Sequence, residues 1–444
     1  MILVAVLAYF FIGLSIVLFI EANTNIKKKQ TVKLYSFAFA VGCAFLFLYD
    51  FVLIDLISNF YHIIEYGVYS PDEFNFHLSG IERMNDLSLS SSEYAGWTIL
   101  WQYIIAINYI LFDVNTIYPK LFNVMCYSIT AVSFFYLSMN IFGDYKLAQY
   151  SIRFYFLFFP LMYSISTIMR EVFMTTLIIL ILLYVSEYFK NNSFSKFLFI
   201  LFLISLLVLT RIEYGIIMMF SFVITFIIIS KISILKKVFY ALVLIISLVF
   251  VSQLSIFQDT EIVDTITGEG GRSRFVHTKK GEAEKADGYA SFVKIVFSNP
   301  ISFIPIITYG SLNFFLDPLP FKFLNENLIS NLNRQFFFSL FNSFFVFYLP
   351  IMFLGLYYLF KFKDFKPIDY VYLVFFILVY LGILLNMRDP TRYKMPIFPL
   401  IFFLTTYGLK YKLLWKKYYP YILLLMGVFA LYFILFFDVK SLVI

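Results

Sequence analysis

The feature that most constrains this chain is the recurrence of apolar runs long enough to cross a lipid bilayer. The first, Ile2–Ile20, carries no charged residue, and comparable runs return throughout the chain. A helix spans hydrocarbon with about 20 apolar residues. Mean hydropathy of +0.86, with 61% hydrophobic and 14% charged residues, gives no room for a large soluble domain. A transmembrane β-barrel would alternate apolar and polar residues, and these runs do not. The expectation is an all-α, polytopic integral membrane protein, a single transmembrane domain over 1–444 with about 12 transmembrane helices. Lys27-Lys28-Lys29 follows the first run and no basic residue precedes it, the reverse of a cleavable signal peptide. Cys43 and Cys126 both lie in apolar runs, so neither a disulfide framework nor a thiol metal site is expected.

Lysines set the sidedness. Short loops with Lys27–Lys29, Lys146, Lys190, Lys196, Lys231, Lys236, Lys361–Lys366 and Lys410–Lys417 belong in the cytoplasm by the positive-inside rule. Residues 56–118 and 254–337 then form two large external loops, the first with amphipathic and interfacial helices and the second a mobile lid. Trp97–Phe112 is read as interfacial or re-entrant, and residues 148–168 as one crossing. Every arginine except Arg153 falls outside under this arrangement. Planar, bidentate guanidinium donors suit phosphate or carboxylate, though pairing with the external acids explains them equally well. Ionisable residues are nearly absent from the middle of the apolar runs, and broken mid-helices are not apparent. The polar chemistry is therefore expected in one outer layer, which favours an enzyme over a carrier.

The external polar stretch Tyr61–Ser92 is built around Ser70-Pro71-Asp72-Glu73. Ser at the cap, Pro at the first position and Glu three residues after Ser form a capping box, which accounts for Glu73 structurally. Asp72 is not needed for the box and is read as a general base, with Glu73 as the alternative. Glu82, Arg83 and Asp86 are read as solvated-face residues. Met169-Arg170-Glu171 and Thr210-Arg211-Ile212-Glu213 place charge at two outer turns. Each is either a local ion pair or a substrate contact, with Arg170 on the donor phosphate and Arg211 and Glu213 near an acceptor. The Gly-rich segment around Arg272, Arg274 and His277 fits no P-loop and is read as an acceptor-binding or lid segment. Arg388, Arg392, Tyr393 and Lys394 precede Pro396 and Pro399 at a helix start, where an anion is favoured, and are read as donor phosphate ligands. Three separated histidines do not make a metal site, no cofactor is assigned, and a carboxylate site for a divalent cation stays open. No nucleic-acid partner is expected.

In order and sidedness, these motifs resemble the GT-C superfamily of polyprenyl-phosphate-dependent membrane glycosyltransferases, particularly the protein O-mannosyltransferase and aminoarabinose-transferase-like branch. The resemblance rests on Asp72-Glu73 in the first large external loop and on Ala95-Gly96-Trp97 leading through Phe112-Asp113 to Asn123 and Phe142-Gly143. Arg170-Glu171 at the next outer turn and Arg392-Tyr393-x-x-Pro396-x-x-Pro399 complete it. It implies a loop acid as catalytic base, mapping to Asp72 with Glu73 next, and Arg392 near a lipid phosphate. The chain departs from that pattern in having an extra helix before the acidic loop and no evident soluble C-terminal domain. The implied activity is sugar transfer from a polyprenyl-phosphate-linked donor to a glycan, lipid or protein hydroxyl at the outer face of the cytoplasmic membrane. A polymerase or ligase of polyprenyl-diphosphate-linked repeat units is the alternative, relying on Arg272, Arg274 and His277. A lipid-linked sugar flippase is the third reading.

Overall fold

A computed structural model describes residues 1–24, 30–53, 71–86, 98–229, 314–315, 334–386 and 394–417, with 419–421, 424 and 427 beyond them. The described residues are helical, with no strand among them. The helices, in order, are α1 (Ile2–Asn23), α2 (Thr31–Leu48), α3 (Pro71–Asn85), α4 (Ile99–Leu111) and α5 (Ile117–Phe142). Next come α6 (Tyr145–Phe156), α7 (Phe159–Ile165), α8 (Glu171–Asn191), α9 (Phe194–Thr210) and α10 (Ile212–Ile229). The last are α11 (Arg334–Phe345), α12 (Leu349–Phe362), α13 (Pro367–Asn386), α14 (Ile401–Lys410) and α15 (Lys412–Trp415).

Among the described residues five helical stretches are long and apolar enough to cross a membrane: Ile2–Asn23, Thr31–Val52, Ile117–Phe142, Glu171–Asn191 and Gln335–Phe362. They differ in how much of themselves they hide. In α5 94% of the apolar window is buried and in α8 83%, against 22% for α1. α5 and α8 are thus the centre of the bundle, and α1 leaves Leu3, Leu7, Phe11 and Phe19 exposed on its outside. Lipid tails are as apolar as leucine, so helix association rests on close packing and on polar bonds between helices. Both are present: Thr130 donates to Thr176 at 2.8 Å across α5 and α8, and Phe134 stacks on Phe403 at 4.6 Å.

Two readings of the sequence change. Residues 148–168 are not one helix: the chain breaks at Leu157–Phe158 between α6 and α7, with Pro160 in the first turn of α7. Proline has no N–H to give to the preceding turn, so the helix ends and restarts there. The polar groups also form two layers and not one. At the end of the bundle away from α3, Glu187 is fully buried and accepts from Asn140 at 2.7 Å, Lys190 at 3.0 Å and Lys196 at 3.4 Å. Lys366 caps the last carbonyls of α5, Asn140 and Ile141, and Lys410 pairs with Asp364. The stretch read as interfacial or re-entrant holds α4. Its 13 residues rise about 20 Å, short of a hydrocarbon core of about 30 Å, and it packs on α3. The proposed lid, apart from 314–315 and 334–337, lies outside the described residues.

Candidate active site

α3 is an amphipathic helix whose inner face carries ionisable groups. Glu73, Phe76, His77, Gly80 and Arg83 recur at three- and four-residue spacing, and all are buried, whereas Asp72, Asn85 and Asp86 are exposed. Arg83 was read as a solvated-face residue, and that reading is corrected. It is 1% exposed, donates from Nε to Gln102 Oε1 at 3.1 Å, and lies 5.8 Å over the Tyr103 ring. His77 Nδ1 lies 2.7 Å from the Tyr109 hydroxyl, and burial pushes its imidazole below the usual histidine range. α4 thus meets the polar face of α3 with Gln102, Tyr103 and Tyr109, leaving apolar contact to Phe76, Ile105 and Trp101.

Both helices close on the turn that joins α7 to α8. Ile168 N–H donates to Glu73 Oε2 at 3.4 Å, and Ile168 C=O accepts from Trp101 Nε1 at 2.9 Å. From below, Asn123 of α5 donates to Thr167 C=O at 2.9 Å and to Met169 C=O at 3.0 Å. One short turn is therefore held by side chains of three helices, and Arg170 and Glu171 follow it directly. Glu73, 1% exposed, sends its carboxylate to this turn; Ser70, the cap residue of the expected capping box, lies outside the described residues.

The residues singled out in the sequence are placed as follows. Asp72 is exposed at the head of α3, one residue before the buried Glu73. Arg170, 8% exposed, donates to Thr210 C=O at 3.3 Å, and its guanidinium lies 5.7 Å over Phe76 of α3. Arg211 pairs with Glu213 at 3.5 Å, the local ion pair that the spacing allows, and Glu213 is 68% exposed. Lys394 is fully buried, donating to Phe314 C=O at 2.9 Å with its ammonium 4.9 Å over Phe338. Its neighbour Met395 accepts a hydrogen bond from Ser164 of α7. The end of the Arg-Tyr-Lys segment thus reaches the element that leads into the Thr167–Arg170 turn. Arg272, Arg274, His277, Arg388, Arg392 and Tyr393 lie outside the described residues.

The sequence reading missed a second polar group at this end. Beyond α2 the helix widens into a π turn, Tyr49–Leu53, and Asp50 within it accepts from Lys120 of α5 at 3.1 and 3.0 Å. An acid near the end of one crossing and a lysine at the start of the next were the available signal. Among the described residues no group of three or more His, Cys, Asp or Glu is placed to hold a metal ion. Chemically, α3 offers an exposed carboxylate, Asp72, beside a buried one, Glu73, with the Arg170 guanidinium over Phe76 of the same helix. No protein-family model matches the chain, and no curated protein matches it.

Proposed function

We propose that the chain is a membrane glycosyltransferase that moves a sugar from a polyprenyl-phosphate-linked donor to an acceptor hydroxyl in cell-surface polysaccharide or glycoconjugate synthesis. The observation that carries this reading is the seating of the acidic helix α3 on the Thr167–Arg170 turn. That contact brings two adjacent carboxylates and the buried Arg170 together at one end of an apolar bundle. In this reading about 12 helices cross the cytoplasmic membrane and the α3 end faces outside, as the lysine-rich loops at the other end require.

The chemistry follows from charge. Asp72, exposed at the start of α3, takes the proton of the acceptor hydroxyl, and the oxygen displaces the donor phosphate from the anomeric carbon. The carbon–oxygen bond to the lipid phosphate breaks, and the phosphate departs as an anion. Arg170 and Lys394, together with Arg388, Arg392 and Tyr393, are the groups to meet that anion. Glu73 holds α3 in place, so that Asp72 is presented at a fixed position. The reading needs no cofactor, and a divalent cation is compatible with it.

Complementation of surface-glycan synthesis in the native host by Asp72→Asn tests this, with membrane abundance measured on the same cells. Asn keeps the shape and much of the dipole contact but cannot accept the proton, so transfer falls by about 10²–10⁴-fold at unchanged protein level. Normal glycan from Asp72→Asn, with loss only on Arg272→Ala, would move the chemistry to the second external loop and to the polymerase reading.

A further inference from the structure

The lysine-rich end of the bundle holds more positive charge than the acids of the same elements balance. Residues 349–386 and 398–424, which contain α12 to α15, carry seven lysines and two acids, Asp364 and Asp369. Asp369 is fully buried, and its carboxylate accepts from the Lys366 N–H at 2.7 Å and the Tyr407 hydroxyl at 3.1 Å. Asp364 pairs with Lys410. Lys361, Lys363, Lys412, Lys416 and Lys417 are all exposed.

The fold brings these lysines together from two separate stretches of chain. α12 and α14 meet at Gly355 and Gly408, and the Tyr411 ring packs on Tyr358 at 5.3 Å and on Phe362 at 5.0 Å. The ends of the two helices therefore lie side by side, and α15 continues from the second. Trp415 fastens α15 to the bundle: it is 4% exposed and donates from Nε1 to Gly408 C=O at 2.7 Å. The rest of α15 is turned outward, with Leu413 92% exposed and Leu414 51% exposed, flanked by Lys412 and Lys416. On α12, Phe360 and Phe362 are exposed beside Lys361 and Lys363.

Exposed apolar side chains interleaved with exposed lysines match the boundary between acyl chains and headgroups. Leucine and phenylalanine enter the acyl layer, while the lysine stems carry their ammonium groups out to headgroup level. A loop surrounded by water gains nothing from exposing Leu413, and a helix surrounded by acyl chains does not carry four lysines in the eight residues 410–417. The charge excess then selects among headgroups, because basic segments at a membrane surface are drawn to anionic lipid. We propose that this end of α12, α14 and α15 is a binding surface for anionic phospholipid headgroups, held by Lys361, Lys363, Lys412, Lys416 and Lys417. The proposal needs the bundle to lie in lipid and is independent of the transferase reading.

The test uses the full-length protein purified in neutral detergent, with phosphatidylglycerol or phosphatidylcholine of the same acyl chains added to the micelles. Thermal unfolding is the readout, since a ligand of the folded state raises the melting temperature. Phosphatidylglycerol should raise it further than phosphatidylcholine, and molar salt should remove the difference. Lys412→Gln with Lys416→Gln should lose most of the difference while melting as the wild type does in phosphatidylcholine. Lys412→Arg with Lys416→Arg keeps the charge and should keep the difference. Lys33→Gln with Lys146→Gln removes the same charge from the first turns of α2 and α6, where Tyr145 bonds Gln30, and should keep it too. Equal rises with both lipids would overturn the proposal. So would equal losses in the two Gln pairs, which would show attraction to the net charge of the chain alone. The same rise from polyglutamate or inorganic phosphate in phosphatidylcholine micelles would also overturn it, because an acidic chain or a free phosphate would then suffice.

Discussion

At the scale of single residues, the inner face of α3 is where local sequence rules and tertiary structure diverge. A run such as Asp72–Asp86, rich in charge and short of leucine, reads as a solvated helix, and its exposed residues behave that way. Glu73, His77 and Arg83 do not, because partners 19 to 95 residues away satisfy them. No periodicity in the sequence encodes those partners. Asn123 belongs to the same class: its two donated bonds to the Thr167–Met169 turn depend on a packing arrangement and on no motif. His77 gives this a measurable consequence. Burial lowers its pKa in the folded state, so the unfolded chain binds the proton more readily. The stability of the α3–α4 unit is then fully present above the unfolded value of about 6.5. It is lost as the pH falls below that value, by at most about 1.4 kcal/mol per pH unit, until the folded-state pKa is passed. Thermal unfolding of the purified protein across this range should show the slope, and His77→Gln, which keeps a partner for Tyr109, should flatten it. An equal slope in the variant would assign the effect to other groups.

At the scale of elements, long apolar runs were legible because they must satisfy their own backbone within lipid, and α1, α2, α5 and α8 fall where composition places them. The division of 148–168 into α6 and α7 was signalled by Pro160, but hydropathy averaged over the run hides a single break. How closely two helices approach was less legible still. α12 and α14 are in backbone contact at a pair of glycines: a Cβ on Gly355 would overlap the Leu404 carbonyl, and one on Gly408 would overlap the Ile351 carbonyl. The obstruction is main chain and cannot rotate aside. Small residues that let backbones meet are a principal source of helix association in lipid. Gly355→Ala should therefore destabilise the protein by about 1–3 kcal/mol, and Gly355→Leu should prevent accumulation in the membrane. Unfolding in detergent and quantitative blotting of membranes measure the two. A Gly355→Leu protein with unchanged abundance and melting would show that the two helices can separate without cost.

At the scale of the whole molecule, the organising fact is that an apolar bundle is closed by polar bonds at both ends, and the two ends differ in kind. One presents Glu73 and Arg170 at a turn clamped by three helices, together with the Asp50–Lys120 pair. The other is a lysine-rich end in which Glu187, Asp364 and Asp369 each bond neighbouring groups. Aromatic content had suggested nothing about function. Much of it fills the middle, where Phe158 packs against Phe338, Phe341, Phe398 and Phe402. The proposed reading puts the α3 end outside on the lysine distribution, and this can be tested without knowing the substrate. Val114, 42% exposed in the turn before α5, marks the α3 end, and Asn191, exposed at the close of α8, marks the other. In a background with Cys43 and Cys126 replaced by alanine, Val114→Cys should react with a membrane-impermeant maleimide in right-side-out vesicles. Asn191→Cys should react only after permeabilisation. The reverse pattern would put Glu73 and Arg170 in the cytoplasm, where a lipid-linked donor at the outer face is out of reach. The transferase reading would then fail whatever Asp72→Asn did to the glycan.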